Sequence, residues 1–235
     1  MKSFRQKQAR PKKSLVIAGR AAVLAALHEG KSLERIYVNQ ALKGALIDEL
    51  RTKAAQAQVP VNGVPVAKID AFHVPDHDGC VAVISKVRYL QLQDAISWIQ
   101  ERGDVPLFLM LDGITDIRNI GAIARTAYCC GVQAIIIPEK GVGALNEDAM
   151  LTSAGALEKI MICRVPSLMK AVDELHLNGI MVFASVMKGE QVLSKVDFTI
   201  PCAVIMGSEE KGIYPTLMKI CDQHIRIPMV TDFES

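Results

Sequence analysis

Asn119, Gly121 and Arg125 stand at positions i, i+2 and i+6 of DGITDIRNIGAIARTAYCCG, residues 112–131. An amide, a residue without a side chain and a guanidinium follow a hydrophobic strand (residues 105–112), a polar loop and the start of a helix. That set suits an anion, because helix starts favour negative charge and arginine forks onto phosphate or carboxylate oxygens. Two later blocks share the context: GSEEKG (207–212) and IPM (227–229) each close an apolar run. Gly207 and Gly212 allow close backbone approach to a ligand, with Glu209 between them. Three polar loops at strand ends, far apart in sequence, are how an open α/β sheet assembles a ligand site. Plainer readings stand beside these. Asn119 can simply cap the helix, Arg125 can close an internal salt bridge, and Glu209-Glu210-Lys211 can be an exposed charged turn.

Other chemistries find little support. Gly141-Val142-Gly143 lacks the third glycine of a GxGxxG turn, no GxxxxGK occurs, and no GxSxG elbow is present. His73 and His77 stand four apart beside Asp76 and Asp78, but Pro75 rules against a helical metal pair and favours a solvated loop over 73–79. The six cysteines show no CxxC spacing, and most lie in apolar runs, as buried thiols in a reducing compartment do.

The elements that must position the three loops follow from periodicity. From residue 105 onward, strands are expected at 107–111, 134–137, 181–184, 203–206 and 224–227, with helices at 120–130, 147–156, 167–178 and 214–220. Such alternation predicts a parallel sheet covered on both faces. Residues 15–88 read as a smaller α/β module: a helix over 20–28, a strand over 33–38, a helix over 41–58 with Leu42, Leu46, Leu50 and Ala54 on its inner face, and strands at 64–66 and 81–84. Residues 87–103 form a bridging segment that ends in a helix, on whose apolar side Trp98, the sole tryptophan, is expected to pack.

Half of the 235 residues are apolar, enough for a sizeable core, and no apolar run approaches the ~18 residues of a membrane span. The net charge is only +2, yet Lys2, Arg5, Lys7, Arg10, Lys12, Lys13 and Arg20 all precede the first acidic residue, Glu29. A basic, acid-free arm points to phosphate contact, with a solvated tail as the bland alternative. Arg20 interrupts any secretory core, whereas a mitochondrial presequence remains compatible with this composition.

NIGAIARTA, GSEEKG and IPM, in that order, resemble the successive motifs of the SpoU (TrmH-like) branch of the SPOUT RNA 2′-O-ribose methyltransferases, and TSAGALEKI (152–160) is similar to an intervening segment. IAGRAAVLAALHEG (17–30) resembles the opening of the small ribosomal-protein-like RNA-binding domain of the RlmB type. The resemblance implies a Rossmann-like, mostly parallel sheet with a C-terminal trefoil knot, preceded by that small α/β domain. The expected organisation is a basic arm (1–14), an RNA-binding domain (15–88), a linker (89–104) and a methyltransferase domain (105–235).

It further implies a cytoplasmic homodimer with neither metal nor membrane, S-adenosyl-L-methionine as donor, and transfer to a ribose 2′-hydroxyl. The expected target is a guanosine of large-subunit ribosomal RNA, with transfer RNA as the alternative substrate. A non-catalytic RNA-binding protein is the reading from another class. Carried onto this chain, Gly207, Ile227, Met229 and Ser185 contact the cofactor, and Arg125, Asn119 and Glu209 match polar active-site positions. Two departures follow from the comparison. Ile117 stands where many relatives carry proline, so a less rigid loop is expected before Asn119. The closing FES resembles the beginning of the family's third motif, so a tail completing knot and pocket is expected to be missing, and cofactor binding by this chain to be weak.

Overall fold

The computed structural model describes residues 16–229; the basic residues 2–13 and the closing FES lie outside the described residues. The chain forms two compact units. The first contains β1 (Val16–Ala18), α1 (Arg20–His28), β2 (Leu33–Asn39), α2 (Ala45–Gln56), β3 (Val61–Val64), α3 (Val66–Asp70) and β4 (Cys80–Ile84). Its sheet runs in the order β1-β4-β2-β3, with only β2 and β3 parallel. α1 buries Val23, Leu24, Ala26 and Leu27 and packs beside α2.

The expected inner face of α2 requires correction. Gly44, at φ +117°, starts the helix later than the sequence pattern predicts, leaving Leu42 in the preceding turn. Leu50 and Ala54 are buried as expected, Ile47 joins them, and Leu46 is exposed. The expected strand at 64–66 also moves: β3 ends at Val64, and Pro65 leads into α3. The loop over 73–79 forms as expected, with His73, Asp76 and Asp78 all at positive φ. Asp78 accepts a two-pronged hydrogen bond from Arg20 (2.6 and 2.9 Å), so that arginine does not extend a free basic surface.

The second unit contains β5 (Tyr89–Leu90), α4 (Leu92–Glu101), β6 (Leu107–Asp112), α5 (Ile117–Cys129), β7 (Ala134–Pro138), α6 (Glu147–Thr152), β8 (Met161–Val165), α7 (Leu168–Leu177), β9 (Met181–Ser185), β10 (Gln191–Val192), β11 (Cys202–Gly207), α8 (Pro215–Met218) and β12 (Gln223–Arg226). All its strand pairs are parallel, in the order β10-β12-β9-β11-β6-β7-β8-β5. Residues 89–104 belong to this unit: β5 pairs with β8, and α4 buries Leu92, Ala95, Ile96 and Ile99.

The run FLML in β6 explains the layering. Successive side chains point to opposite faces, so Phe108 and Met110 join the core under α4 and α7, while Leu109 and Leu111 join the core under α5 and α6. α5 and α6 follow β6 and β7 on one face, and α7 returns the chain over the other. The strand order therefore reverses direction between β6 and β11, which leaves a crevice at their carboxyl ends.

β12 lies between β9 and β10, two strands joined directly by residues 186–190. That connection runs close over β12: Val186 N–H donates to the Ile225 carbonyl (2.9 Å), and Arg226 donates to the Gly189 carbonyl (3.2 Å). A Cβ on Gly189 would come within 3.0 Å of the Ile225 backbone, so only glycine fits there. The expected C-terminal trefoil knot falls in part on residues 230–235, which lie outside the described residues.

Two local expectations fail for physical reasons. Trp98 lies 49% exposed on α4, with the Arg102 guanidinium 4.6 Å from its ring centre; the helix's apolar side is complete without it. Cys129 and Cys130 are exposed, because they terminate α5 on its solvent side. Cys80, Cys163 and Cys202 are buried, and burial pushes the Cys80 and Cys163 thiols up to about 12, far from a reactive thiolate.

Candidate active site

The crevice between β6 and β11 is built by backbone register. Asp112 ends β6 directly beside Gly207, which ends β11. The Asp112 carboxylate accepts a 2.7 Å hydrogen bond from the Tyr214 backbone N–H, tying the loop after β11 to the end of β6. The loop closes on itself. Gly212 N–H donates to the Ser208 carbonyl (2.8 Å), and Lys211 N–H donates to the Ser208 hydroxyl (3.2 Å). Glu209, exposed in this loop, accepts a 3.5 Å hydrogen bond from the Asn119 side-chain amide across the crevice. Two of the three residues matched to polar active-site positions therefore meet, though they are 90 residues apart.

Asn119 does not cap α5. The helix begins earlier than expected, at Ile117, and Asp116 is its N-cap, accepting from the backbone N–H of Arg118 (2.8 Å) and Asn119 (3.4 Å). Asn119 is thereby released to face Glu209. Ile117 is the first helical residue rather than part of a loop, and its half-buried side chain joins the core under α5. Helix position one is also where proline is readily accommodated. Asp116→Ala is expected to cost about 1 kcal/mol of stability. For a domain of this size, that lowers the melting temperature by about 2–4 °C, measurable by calorimetry; an unchanged melt would remove the cap from the account.

Gly121 serves packing. A Cβ there would stand 2.5 Å from the Ala149 carbonyl oxygen, so the glycine lets α5 approach α6. Gly143 similarly packs its backbone against Thr115, which buttresses the loop ahead of α5. Arg125 lies near the middle of α5 on its exposed face and has no hydrogen bond or ion pair among the described residues. The salt-bridge alternative is absent from the described residues, and Glu209 pairs with Asn119, not with this arginine.

The remaining predicted residues lie along the same sheet rim. Ser185 ends β9 opposite Ile225 of β12, and β9 lies beside β11, so Ser185, Gly207 and Ile227 leave three neighbouring strands at their carboxyl ends. Ile227 and Met229 are 51% and 57% exposed, and Met187, just past Ser185, is 71% exposed. Gly207 meets an internal demand as well: a Cβ on it would run into the backbone of Gly212 and Ile213, so the loop's own closure requires its lack of a side chain. Gly212, at φ +63°, is needed for the turn.

Sequence reasoning missed Asp112 and Asp116 as architects of the rim. An aspartate at a strand end, and another one position ahead of an apolar helical run, were the available signals.

The SpoU rRNA methylase family model matches residues 106–235, more than half of the chain. The chain belongs to the SpoU methylase family. A second match, to RNA 2′-O ribose methyltransferase substrate binding, covers residues 16–90. Members are RNA methyltransferases that use S-adenosylmethionine. A Staphylococcus aureus protein named for the TrmH family of tRNA/rRNA methyltransferases is 31% identical over 215 residues, covering 92% of this chain and 87% of that protein. An uncharacterized tRNA/rRNA methyltransferase of Synechocystis is 32% identical over 220 residues; the match covers 91% of this chain and spans 56% of that relative's length. The fold of this SpoU member matches the Streptomyces viridochromogenes SpoU methyltransferase AviRb, solved with S-adenosylmethionine (TM-score 0.55, 19% identity, 94% of this chain and 83% of that one). It also matches a Sinorhizobium meliloti rRNA methyltransferase solved with the same cofactor (TM-score 0.52, 20% identity, 98% and 84%).

The rim fits such a ligand in kind. Exposed Ile227, Met229 and Met187 offer apolar contact to a purine and to the aliphatic chain of a sulfonium, while the strand ends beside them present backbone groups. Among the described residues no cluster of three metal-ligating side chains occurs, and no helix is long and apolar enough to cross a membrane.

Proposed function

We propose that this SpoU member transfers the methyl group of S-adenosylmethionine to a ribose 2′-hydroxyl, with a guanosine of large-subunit ribosomal RNA as the target, and that it works as a homodimer with a knotted cofactor site. The observation that carries the reading is the Asn119–Glu209 contact across the β6–β11 crevice, with unpaired Arg125 on the helix that leaves β6. The rim divides naturally. β9, β11 and β12 supply the cofactor side through Ser185, Gly207, Ile227 and Met229, and β6 with α5 supplies the RNA side.

When bound, the cofactor supplies an electrophilic sulfonium methyl; the chain's residues must bring the 2′-oxygen into line with it, and positioning alone can remove much of the barrier. Arg125 acts as a clamp on the adjacent phosphate and stabilises negative charge developing on the attacking oxygen. It is not the base, because a guanidinium carries donors only and has no acceptor for a proton, so the 2′-hydroxyl proton leaves to solvent at the open rim. Asn119 and Glu209 hold the start of α5 and the loop after β11 in register. Relatives named for both tRNA and rRNA keep transfer RNA as the second substrate reading.

The test is incorporation of labelled methyl from S-adenosylmethionine by the full-length protein, offering large-subunit ribosomal RNA and bulk transfer RNA separately, followed by nuclease mapping of the methylated sugar. Label at a ribose of ribosomal RNA is expected. Label only in transfer RNA changes the substrate, and label in neither, with RNA still bound, returns the chain to the non-catalytic reading.

A further inference from the structure

α5 carries a second exposed arginine that no motif explains. Arg118 stands seven residues before Arg125, which on a helix of 3.6 residues per turn places both on one face about 10 Å apart. Both are exposed, and neither has a carboxylate partner among the described residues. The acid nearest in sequence, Asp116, is engaged by two backbone N–H groups as the helix cap. Between the arginines lies Ala122, also exposed, at i+4 from the first and i−3 from the second. Its small side chain leaves the helix surface low there; the N-terminal lean of helical side chains carries Arg125 back over Ala122, and the flexible stem of Arg118 must turn forward to meet it. Two like charges flanking a shallow gap repel one another unless an anion lies between them.

We infer that Arg118 and Arg125 together grip one RNA phosphodiester over Ala122, with Arg118 as the positioning residue that sets the register of the strand. This rests on the reading of the chain as an RNA methyltransferase. Guanidinium pairs match phosphate oxygens in geometry as well as charge, and each phosphate contact contributes to salt-dependent affinity.

The experiment uses the full-length protein and a large-subunit ribosomal RNA fragment that it methylates, comparing wild type, Arg118→Gln and Arg118→Lys. Arg118→Gln is expected to raise KM for RNA about tenfold, equivalent to about 1.4 kcal/mol, with kcat and the apo-protein melt unchanged. The slope of log affinity against log salt is expected to flatten by about 0.7–0.9, the value for one lost phosphate contact. Arg118→Lys restores most of the affinity. An unchanged KM and salt slope in Arg118→Gln overturns the grip. So does conversion of a dimer to a monomer in light scattering with RNA affinity intact, which assigns this face to a second copy of the chain. Failure of the underlying reading looks different: the wild type itself then methylates neither RNA, whether or not it binds them.

Discussion

Arg125→Ala is expected to lower kcat for RNA methylation by about 100- to 1,000-fold, or about 2.7–4 kcal/mol of transition-state stabilisation, the range seen when one charge-stabilising group is removed. Binding of S-adenosylmethionine, measured by calorimetry on the same variant, should stay close to wild type. The split follows from placement. Arg125 projects from the solvent face of α5, beyond β6, whereas the proposed cofactor side of the rim runs through β11, β9 and β12 in the other direction. The arginine makes no ion pair within the described residues, so its removal leaves no internal charge orphaned and should not unfold the domain. Arg125→Lys is the sharper control. A point charge preserves phosphate attraction but loses the planar fork, so partial rescue of RNA affinity with little rescue of kcat would assign the guanidinium to the reacting oxygen. Wild-type turnover in Arg125→Ala would end its role in the reaction.

Much of the methyltransferase unit was legible because its strands are buried on both faces. VPLFLMLD, AIII and CAVIM read as continuous apolar runs bounded by polar loops, and each is a strand of the parallel sheet. β8 escaped because Arg164 interrupts MICRV. In the structure that arginine is 3% exposed, with its guanidinium 3.3 Å from the centre of the Tyr89 ring on neighbouring β5, a tertiary contact that no local pattern announces. β5 and β10, at two residues each, are too short to carry periodicity.

The site shows the same divide. Asn119, Arg125 and Glu209 stood out as polar residues at strand ends, but whether Asn119 faced its helix or the crevice depended on where α5 begins. That start is set by the Asp116 cap, one short side chain whose competition with Asn119 the sequence leaves open. The glycines carry a demand the sequence does not show. Gly207 reads as a point of close ligand approach and Gly121 lies in the first motif, and both are required by close backbone contacts within the chain. A motif glycine reports close approach without naming what approaches.

Gly207→Ala is expected to be the most damaging single methyl addition in the rim, and its pattern of damage separates the two readings of that glycine. The new Cβ would lie within 3.0 Å of Gly212 and Ile213 backbone atoms, which cannot rotate away as a side-chain tip can. The loop must open, and with it go the Ser208–Gly212 closure, the Tyr214–Asp112 tie and the register that brings Glu209 to Asn119. Overpacking of this kind costs about 1–3 kcal/mol, and both sides of the active site should be lost together. Gly212→Ala provides the scale: nothing lies within 4 Å of its Cβ, so only its φ of +63° opposes the change, at about 1 kcal/mol. If Gly207 is glycine for the ligand's sake, the apo-protein melt is unaffected by the substitution and only cofactor affinity falls. If it is glycine because the loop folds back on it, the apo-protein melts earlier before any ligand is added, and by more than Gly212→Ala. Differential scanning calorimetry of the three proteins without cofactor decides between these outcomes, and equal melting temperatures for Gly207→Ala and wild type would refute the packing account.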